Sequence, residues 1–492
     1  MAYILGIDQS TQGTKALLFD ETGKALLRVD QPHRQIINDQ GWVEHDPEEI
    51  YANTMALAAE LLQKTGVPEK KIAAVGISNQ RETALAWDRI TGKPVYNAIV
   101  WQCARGKAIC DRLAARGLAP LVKERTGLQL SPYFSAAKLA WILENVPEAK
   151  AKQEAGRLCM GTMDSWLVYK LTGGKVFKTD ASNASRTQLF NIEKLAWDED
   201  LSRLFGIKTS SLAQVSDSNG SYGETDFGGL FKHPVPIRAV FGDSHAALFG
   251  QGCHQPGQIK ATYGTGSSVM MNIGPKPVWS QKGLVTSLAW QLDGRASYVL
   301  EGNINYTGAA VSWLKHDLEL VASAGETEAL ARAANPADKS YFVPAFTGLG
   351  APYWDNEARG LFTGISRLTG RREMVRAVLD SVAYQIQDIT SLMQEESGQK
   401  IQVLRVDGGP TRNKYLMQFQ TDITGIPVEV PEVEELSAMG AAYGAGLAAG
   451  VYGPEVFNRI RRERYQSSMT PEKRQELLAG WHQAVRRTLV KV

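Results

Sequence analysis

The chain is poor in several features that would have fixed its class at once. Cysteine is scarce, four in 492 residues. Cys103, Cys110, Cys159 and Cys253 show no C-x-x-C spacing, which argues against a zinc site or a disulfide framework. No apolar run approaches the ~18 residues of a membrane span. The N-terminus lacks the basic segment, apolar stretch and cleavage site of a secretory leader. The expectation is a cytoplasmic protein with reduced thiols. Charge of one sign is not in excess: 54 basic and 52 acidic residues give a net charge of +2, so there is no electrostatic case for a nucleic-acid or membrane partner. The basic stretch Arg459 to Arg464, interrupted by Glu463, reads as a solvated helix face. Tandem repeats and low-complexity segments are missing. So are a G-x-G-x-x-G between strand and helix and a G-x-x-x-x-G-K-[ST] loop, which excludes the Rossmann and Walker modes of nucleotide binding.

What is there begins with size. A chain of 492 residues is long for one hydrophobic core, so two large domains are expected. Tyr3 to Ile7 reads as a strand, Asp8 to Gly13 as a polar turn, and Lys15 to Phe19 as a second strand. A turn at Asp20 to Lys24 precedes Ala25 to Val29, making an antiparallel meander. Pro47 to Lys64 is helical, with Pro47, Glu48 and Glu49 opening it, and Lys71 to Ser78 is a buried strand. A similar order restarts near Gln258: Ile259 to Tyr263, the turn Gly264-Thr265-Gly266, then Ser267 to Ile273. Met374 to Glu396 is a long amphipathic helix, Val403 to Val406 a buried strand, and the Ala/Gly-rich stretch Leu436 to Gly450 a helix suited to close packing on a sheet. Strands followed by alternating helices and strands indicate α/β domains with mixed sheets, and the two halves read as a diverged duplication.

The chemistry-bearing residues cluster at strand ends. Asp8 lies beside Ser10, Thr11, Gly13 and Thr14. A carboxylate there can orient magnesium while turn amides face phosphate; alone, the same residues make an ordinary Asp/Gly hairpin. Asp243 follows the apolar Ala239 to Gly242 and precedes Ala246 to Phe249, which suits a general base, a helix N-cap, or both. His245 reads as a supporting or surface residue, because nothing pairs it with a nucleophile. Arg81 and Glu82, just after a buried strand, can bind a polyol through a guanidinium fork and a carboxylate acceptor, or form a surface ion pair. Trp101 and Tyr133 are core aromatics or walls of a small pocket. Two phosphate-holding turns, one carboxylate for a metal and one to take a hydroxyl proton are the parts that phosphoryl transfer to an alcohol needs.

At these residues the chain resembles the FGGY carbohydrate kinases, and within them the glycerol kinases, nearly end to end. The resemblance is carried by Gly41 to Pro47, Ile77 to Thr83, Asn97 to Cys103, Tyr133 to Lys138, Asp180 to Thr187, Val343 to Trp354, Arg405 to Gly409 and Ala438 to Tyr443. It implies two actin/hexokinase-like (ribonuclease H-like) α/β domains with ATP and substrate in the cleft between them. Residues 1–250 would bind substrate and phosphate, and residues 251–492 nucleotide. It implies that Asp243 accepts the hydroxyl proton and that Asp8, with Asp243, lies at Mg2+. Ser10, Thr11, Gln12 and Lys15, with Gly264, Thr265 and Gly266, would hold the phosphates. Gly308, Ser312, Gly409, Pro410 and Asn413 would line the nucleotide. Arg81, Glu82, Trp101, Tyr133 and Asp243 would contact a small polyol, and a homodimer is the family expectation.

The departures are specific. Ser244 stands where glycerol kinases typically have Gln, Ser268 where they typically have Phe, and Lys15 where they usually have Arg. Two small hydroxyls make a wider, wetter pocket if both face it. One lost aromatic wall weakens glycerol binding by on the order of 1–3 kcal/mol. A four- or five-carbon polyol or ketose, such as erythritol or xylulose, is therefore the alternative substrate. An actin- or chaperone-like ATP-driven switch is the alternative of another class, though no spare peptide-binding domain is present. The stretch Gly228 to Pro234 lacks the later glycines and the Arg of the loop that binds fructose 1,6-bisphosphate in some bacterial relatives, so no inhibition by that sugar phosphate is expected.

Overall fold

The computed structural model describes residues 2–489. In the first half, β1 (Tyr3–Gln9), β2 (Gly13–Phe19) and β3 (Ala25–Pro32) form the expected meander. Helix α1 (Pro47–Thr65) follows. Asp46 caps it by accepting from Glu48 N and Glu49 N, Gly66 ends it in the left-handed region, and Ile50, Leu57, Ala58 and Leu61 face the core. Next come β4 (Ile72–Asn79), α2 (Ser135–Asn145), β5 (Val235–Gly242) and α3 (Asp243–Gly250). The six-stranded sheet runs Glu224–Thr225, β5, β4, β1, β2, β3. The central strands β5, β4 and β1 are parallel and β1–β2–β3 antiparallel.

The second half repeats the plan with β6 (Ile259–Tyr263), β7 (Ser267–Gly274), β8 (Arg295–Ile304), α4 (Arg371–Ser397), β9 (Leu404–Asp407), α5 (Lys414–Thr424) and α6 (Leu436–Ala448). The hairpin β6–β7 is antiparallel and β6 is parallel to β9, the relation that β1 bears to β2 and β4. Each half thus presents one tight turn at the open end of its sheet, residues 10–12 and 264–266.

Helix α6 crosses back to the first sheet. Gly76 of β4 lies so close to it that a Cβ would fall 2.1 Å from Ala441 O, and one on Gly440 would fall 1.9 Å from Ala246 O of α3. Only glycine permits that approach, which explains the Ala/Gly composition.

Several expectations need correction. Asp8 is not in the turn: β1 continues through Gln9, pairing Asp8 with Lys15 and Gln9 with Thr14, so the turn shrinks to three residues. Arg459 to Arg464 is not a helix face. Arg462–Tyr465 is an antiparallel edge strand against Val428–Pro431, where charge protects an open sheet edge. His245 is not at the surface; it is fully buried.

Candidate active site

The two turns face a common cleft of about 1310 Å³, lined from the first half by Ser10, Thr11, Gln12 and Lys15 and from the second by Gly264, Thr265 and Gly266. That is room for a nucleotide and a small second substrate. Arg81, Glu82, Trp101, Tyr133, Asp243, Ser244 and Ser268 line the same cleft, so the substrate set and the phosphate turns come together as expected.

At the floor is a buried charge cluster. Arg81 donates from both terminal nitrogens to Glu301, at 3.1 and 2.9 Å. Its Nε stands 3.1 Å from Asp243 Oδ1. Arg186 donates through Nε to Glu82 Oε1 at 2.6 Å and pairs with Glu301 at 2.7 Å. Burial alone would raise the Glu301 carboxyl, but Arg186 and Arg81 override it and hold the group well below the ordinary carboxylate range. Glu82 occupies the left-handed region at φ 58°, a conformation that costs energy in a non-glycine residue and persists only where the surroundings enforce it. The alternative of a surface ion pair at Arg81 and Glu82 is overturned: these side chains are 5% and 2% exposed.

Asp243 differs from the other carboxylates of the cluster. Its side chain is 34% exposed, against 2% for Glu82 and none for Glu301. It is the first residue of α3, with Gly242 as the cap, so it does not cap the helix. Its Oδ1 accepts from its neighbour's backbone, Ser244 N, at 2.6 Å. Asp8 is buried. Burial raises its carboxyl to about 6, against lowering by Lys15 and by the Ser78 hydroxyl, which donates at 2.9 Å. Burial pushes His245 far below its usual range, and Arg81 adds to this; the imidazole is neutral packing beneath the cluster.

Trp101 joins the substrate and phosphate sides. Its Nε1 donates to Thr11 Oγ1 at 2.9 Å, and its ring meets Tyr133 edge-on at 5.5 Å. Ser268 donates to Glu301 Oε1 at 3.1 Å, so it is tied to the cluster as well as open to the cleft. Lys15 lines the cleft, but its ammonium is paired with Glu435 at 2.6 Å, and Arg28 shares that carboxylate at 2.5 Å.

The proposed nucleotide residues are less gathered. Gly308 N donates to Gly264 O at 2.9 Å, beside the second turn. Gly409 and Ser312 are exposed, and Pro410 lies in the short turn after Gly408. Asn413 caps α5 through Leu416 N and donates to Thr327 Oγ1.

Arg186, Glu301 and Glu435 were missed as site residues. A lone carboxylate ending the apolar run Tyr298-Val299-Leu300 was the available signal for Glu301. Among the described residues, no helix is long and apolar enough to cross a membrane, and all four cysteines are free and buried.

Residues 3–250 match the model for the FGGY family of carbohydrate kinases, N-terminal domain, and residues 259–449 match that for the C-terminal domain. The chain is 48% identical over 492 residues to glycerol kinase 2 of Thermotoga maritima, covering 99% of both. It is 48% identical over 488 residues to glycerol kinase of Symbiobacterium thermophilum, covering 99% of this chain and 98% of the relative. Among solved structures, Plasmodium falciparum glycerol kinase with ADP matches at a TM-score of 0.94 and 35% identity, over 100% of this chain and 99% of that one. A xylulose kinase from Lactobacillus acidophilus matches at 0.88 and 23% identity, over 100% and 99%, which speaks for the fold alone.

Proposed function

Since the chain belongs to the FGGY family of carbohydrate kinases, and is an ATP-dependent kinase with the two-domain actin/hexokinase-like fold of that family, we propose that it phosphorylates a primary hydroxyl of glycerol, giving glycerol 3-phosphate. The relatives named glycerol kinase at 48% identity over the whole chain support that substrate. The observation that carries the mechanism is Asp243, the carboxylate of the buried cluster that opens to the cleft where both turns converge.

Glycerol lies against Trp101 and Tyr133, with Arg81, Glu82, Ser244 and Ser268 as polar contacts. Asp243 Oδ accepts the proton of the attacking hydroxyl as it approaches the γ-phosphate in line. Arg81 keeps Asp243 aimed. Backbone N–H groups at Thr11, Gln12, Thr265 and Gly266 hold the phosphates and stabilise charge as it transfers, while Ser10 N and Gly264 N close the two turns on Gly13 O and Gly266 O. Lys15 reaches the phosphates by leaving Glu435 or sharing its charge. Gly308, Ser312, Gly409, Pro410 and Asn413 support the nucleotide. Residues 1–250 act as the substrate and phosphate domain and 251–492 as the nucleotide domain, with α6 of the second buttressing the first. A homodimer working in the cytoplasm completes the reading.

Asp8, whose proton affinity the nearby Asp243 carboxylate raises, and Asp243 together fit Mg2+, an ion that takes one or two carboxylates and keeps phosphate and water as its other ligands. When bound, the ion would neutralise phosphate charge. Because Ser244 and Ser268 both face the cleft, a four-carbon polyol is the second reading. The test is ADP release by wild type and Asp243→Asn with glycerol: turnover lost with ATP binding retained supports the reading, and near-normal turnover in the variant removes Asp243 from it.

A further inference from the structure

Lys138 has no part in the chemistry above, yet it is buried completely. Its ammonium donates to Pro132 O at 2.8 Å, to Phe134 O at 3.0 Å and to Tyr133 O between them. A lysine ammonium has three donors, and all three are used on consecutive carbonyls of one segment. The placement runs against local helix electrostatics. Lys138 is the fourth residue of α2, whose N-terminal end disfavours a cation. Among the described residues no carboxylate forms an ion pair with it, and the nearby Glu82 is engaged by Arg186. A buried cation with no ion-pair partner is costly, so the segment it gathers is where its effect lies.

That segment carries two aromatic rings into the site. Tyr133 packs edge-on against Trp101 at 5.5 Å and against Phe134 at 5.1 Å, and the Arg186 guanidinium lies over the Phe134 ring at 5.1 Å. We propose that Lys138 is a positioning residue, gathering the three carbonyls of residues 132–134 so that Tyr133 is held against Trp101 as the wall of the polyol pocket. The proposal rests on the reading of that pocket given above.

The tether is sensitive to protonation. Burial lowers the Lys138 ammonium to about 7, while Glu82, Cys103 and Cys110, facing it from neighbouring elements, favour the charge. Sign follows directly: as pH rises through neutrality the ammonium loses its charge and one donor, and the segment loosens.

The test is steady-state kinetics on Lys138→Met, Tyr133→Ala and the double variant. Misplacing one wall of the pocket predicts about a tenfold rise in glycerol KM for Lys138→Met. The ATP KM and saturating kcat should stay within about twofold, and the double variant should be no worse than Tyr133→Ala alone, the mark of two residues acting through one contact. An unchanged glycerol KM in Lys138→Met, while Tyr133→Ala raises it, overturns the proposal and leaves the pocket standing. A glycerol KM indifferent to Tyr133→Ala overturns both. Independent, multiplicative effects also refute the tether. Should Lys138→Met fail to fold, Lys138→Gln decides: it cannot supply three donors to the carbonyls of residues 132–134, so the glycerol KM rises with the ATP KM unchanged, and an unchanged glycerol KM overturns the proposal.

Discussion

Glu301→Gln is the sharpest perturbation of the charge cluster, because Gln keeps the volume and an acceptor while removing the charge. Glu301 holds Arg81 through two hydrogen bonds, pairs with Arg186, and accepts from Ser268. Its side chain is fully enclosed, so no solvent screening softens the loss. Removing one partner of a buried ion pair costs ~3–5 kcal/mol. With an acceptor retained, the lower end applies, about 3 kcal/mol. For a cooperative unit of about 250 residues, 1 kcal/mol corresponds to about 2 °C, so Tm at pH 7 falls by about 6 °C. The pH dependence has a definite sign. The Glu301 carboxyl is held below its ordinary value of 4.5, so its contribution is complete above that pH. It fades only as pH falls below 4.5 toward the lower value in the folded protein. Thermal scans of both proteins should therefore show a constant gap from neutral pH down to mild acid, narrowing in stronger acid. Freed from Glu301, Arg81 is left to Asp243, so turnover falls as well. A variant with wild-type Tm and wild-type turnover at pH 7 would refute the cluster as an energetic unit.

Asp243→Asn retains ATP binding by equilibrium titration and loses turnover by ~100-fold or more. Ser268→Phe breaks the bond to Glu301 and fills the cleft beside it; in paired kinetics, erythritol loses about tenfold in kcat/KM relative to glycerol, about 1.4 kcal/mol. Burial raises the Asp380 carboxyl to about 7, with the Tyr415 hydroxyl donating to it. The cost of ionising it therefore builds from about pH 4 and is complete above about pH 7, and Asp380→Asn should raise Tm at pH 8 with the gain vanishing toward pH 4. Fructose 1,6-bisphosphate, titrated to millimolar concentration, should leave activity unchanged.

Much of the site was legible because its residues sit where strand patterning breaks. Asp243 and the Arg81-Glu82 pair each follow a run of apolar strand residues, and the Gly264 turn interrupts two such runs. What could not be read was pairing across the fold. Glu301 is 220 residues from Arg81 in sequence, and Arg186 lies in a polar stretch with no periodic signal. The two meet only because β8 and the segment after residue 180 approach the cleft from opposite halves. Asp8 was assigned to a turn because its polarity outweighed the strand continuing through it. Arg459 to Arg464 looked helical because charge density is common to helix faces and to guarded sheet edges. The Ala/Gly stretch at Leu436 to Gly450 was read correctly as close packing, but composition gave no indication that the sheet beneath it belongs to the other half.

Phosphorylation of glycerol is decided by ATP-coupled ADP release from wild-type protein with glycerol, erythritol, threitol, ribitol, xylitol, xylulose and erythrulose. Acceptor-dependent release is expected, with glycerol ahead in kcat/KM by about tenfold or more. A longer acceptor ahead by that margin, or ADP release indifferent to every acceptor, would contradict it.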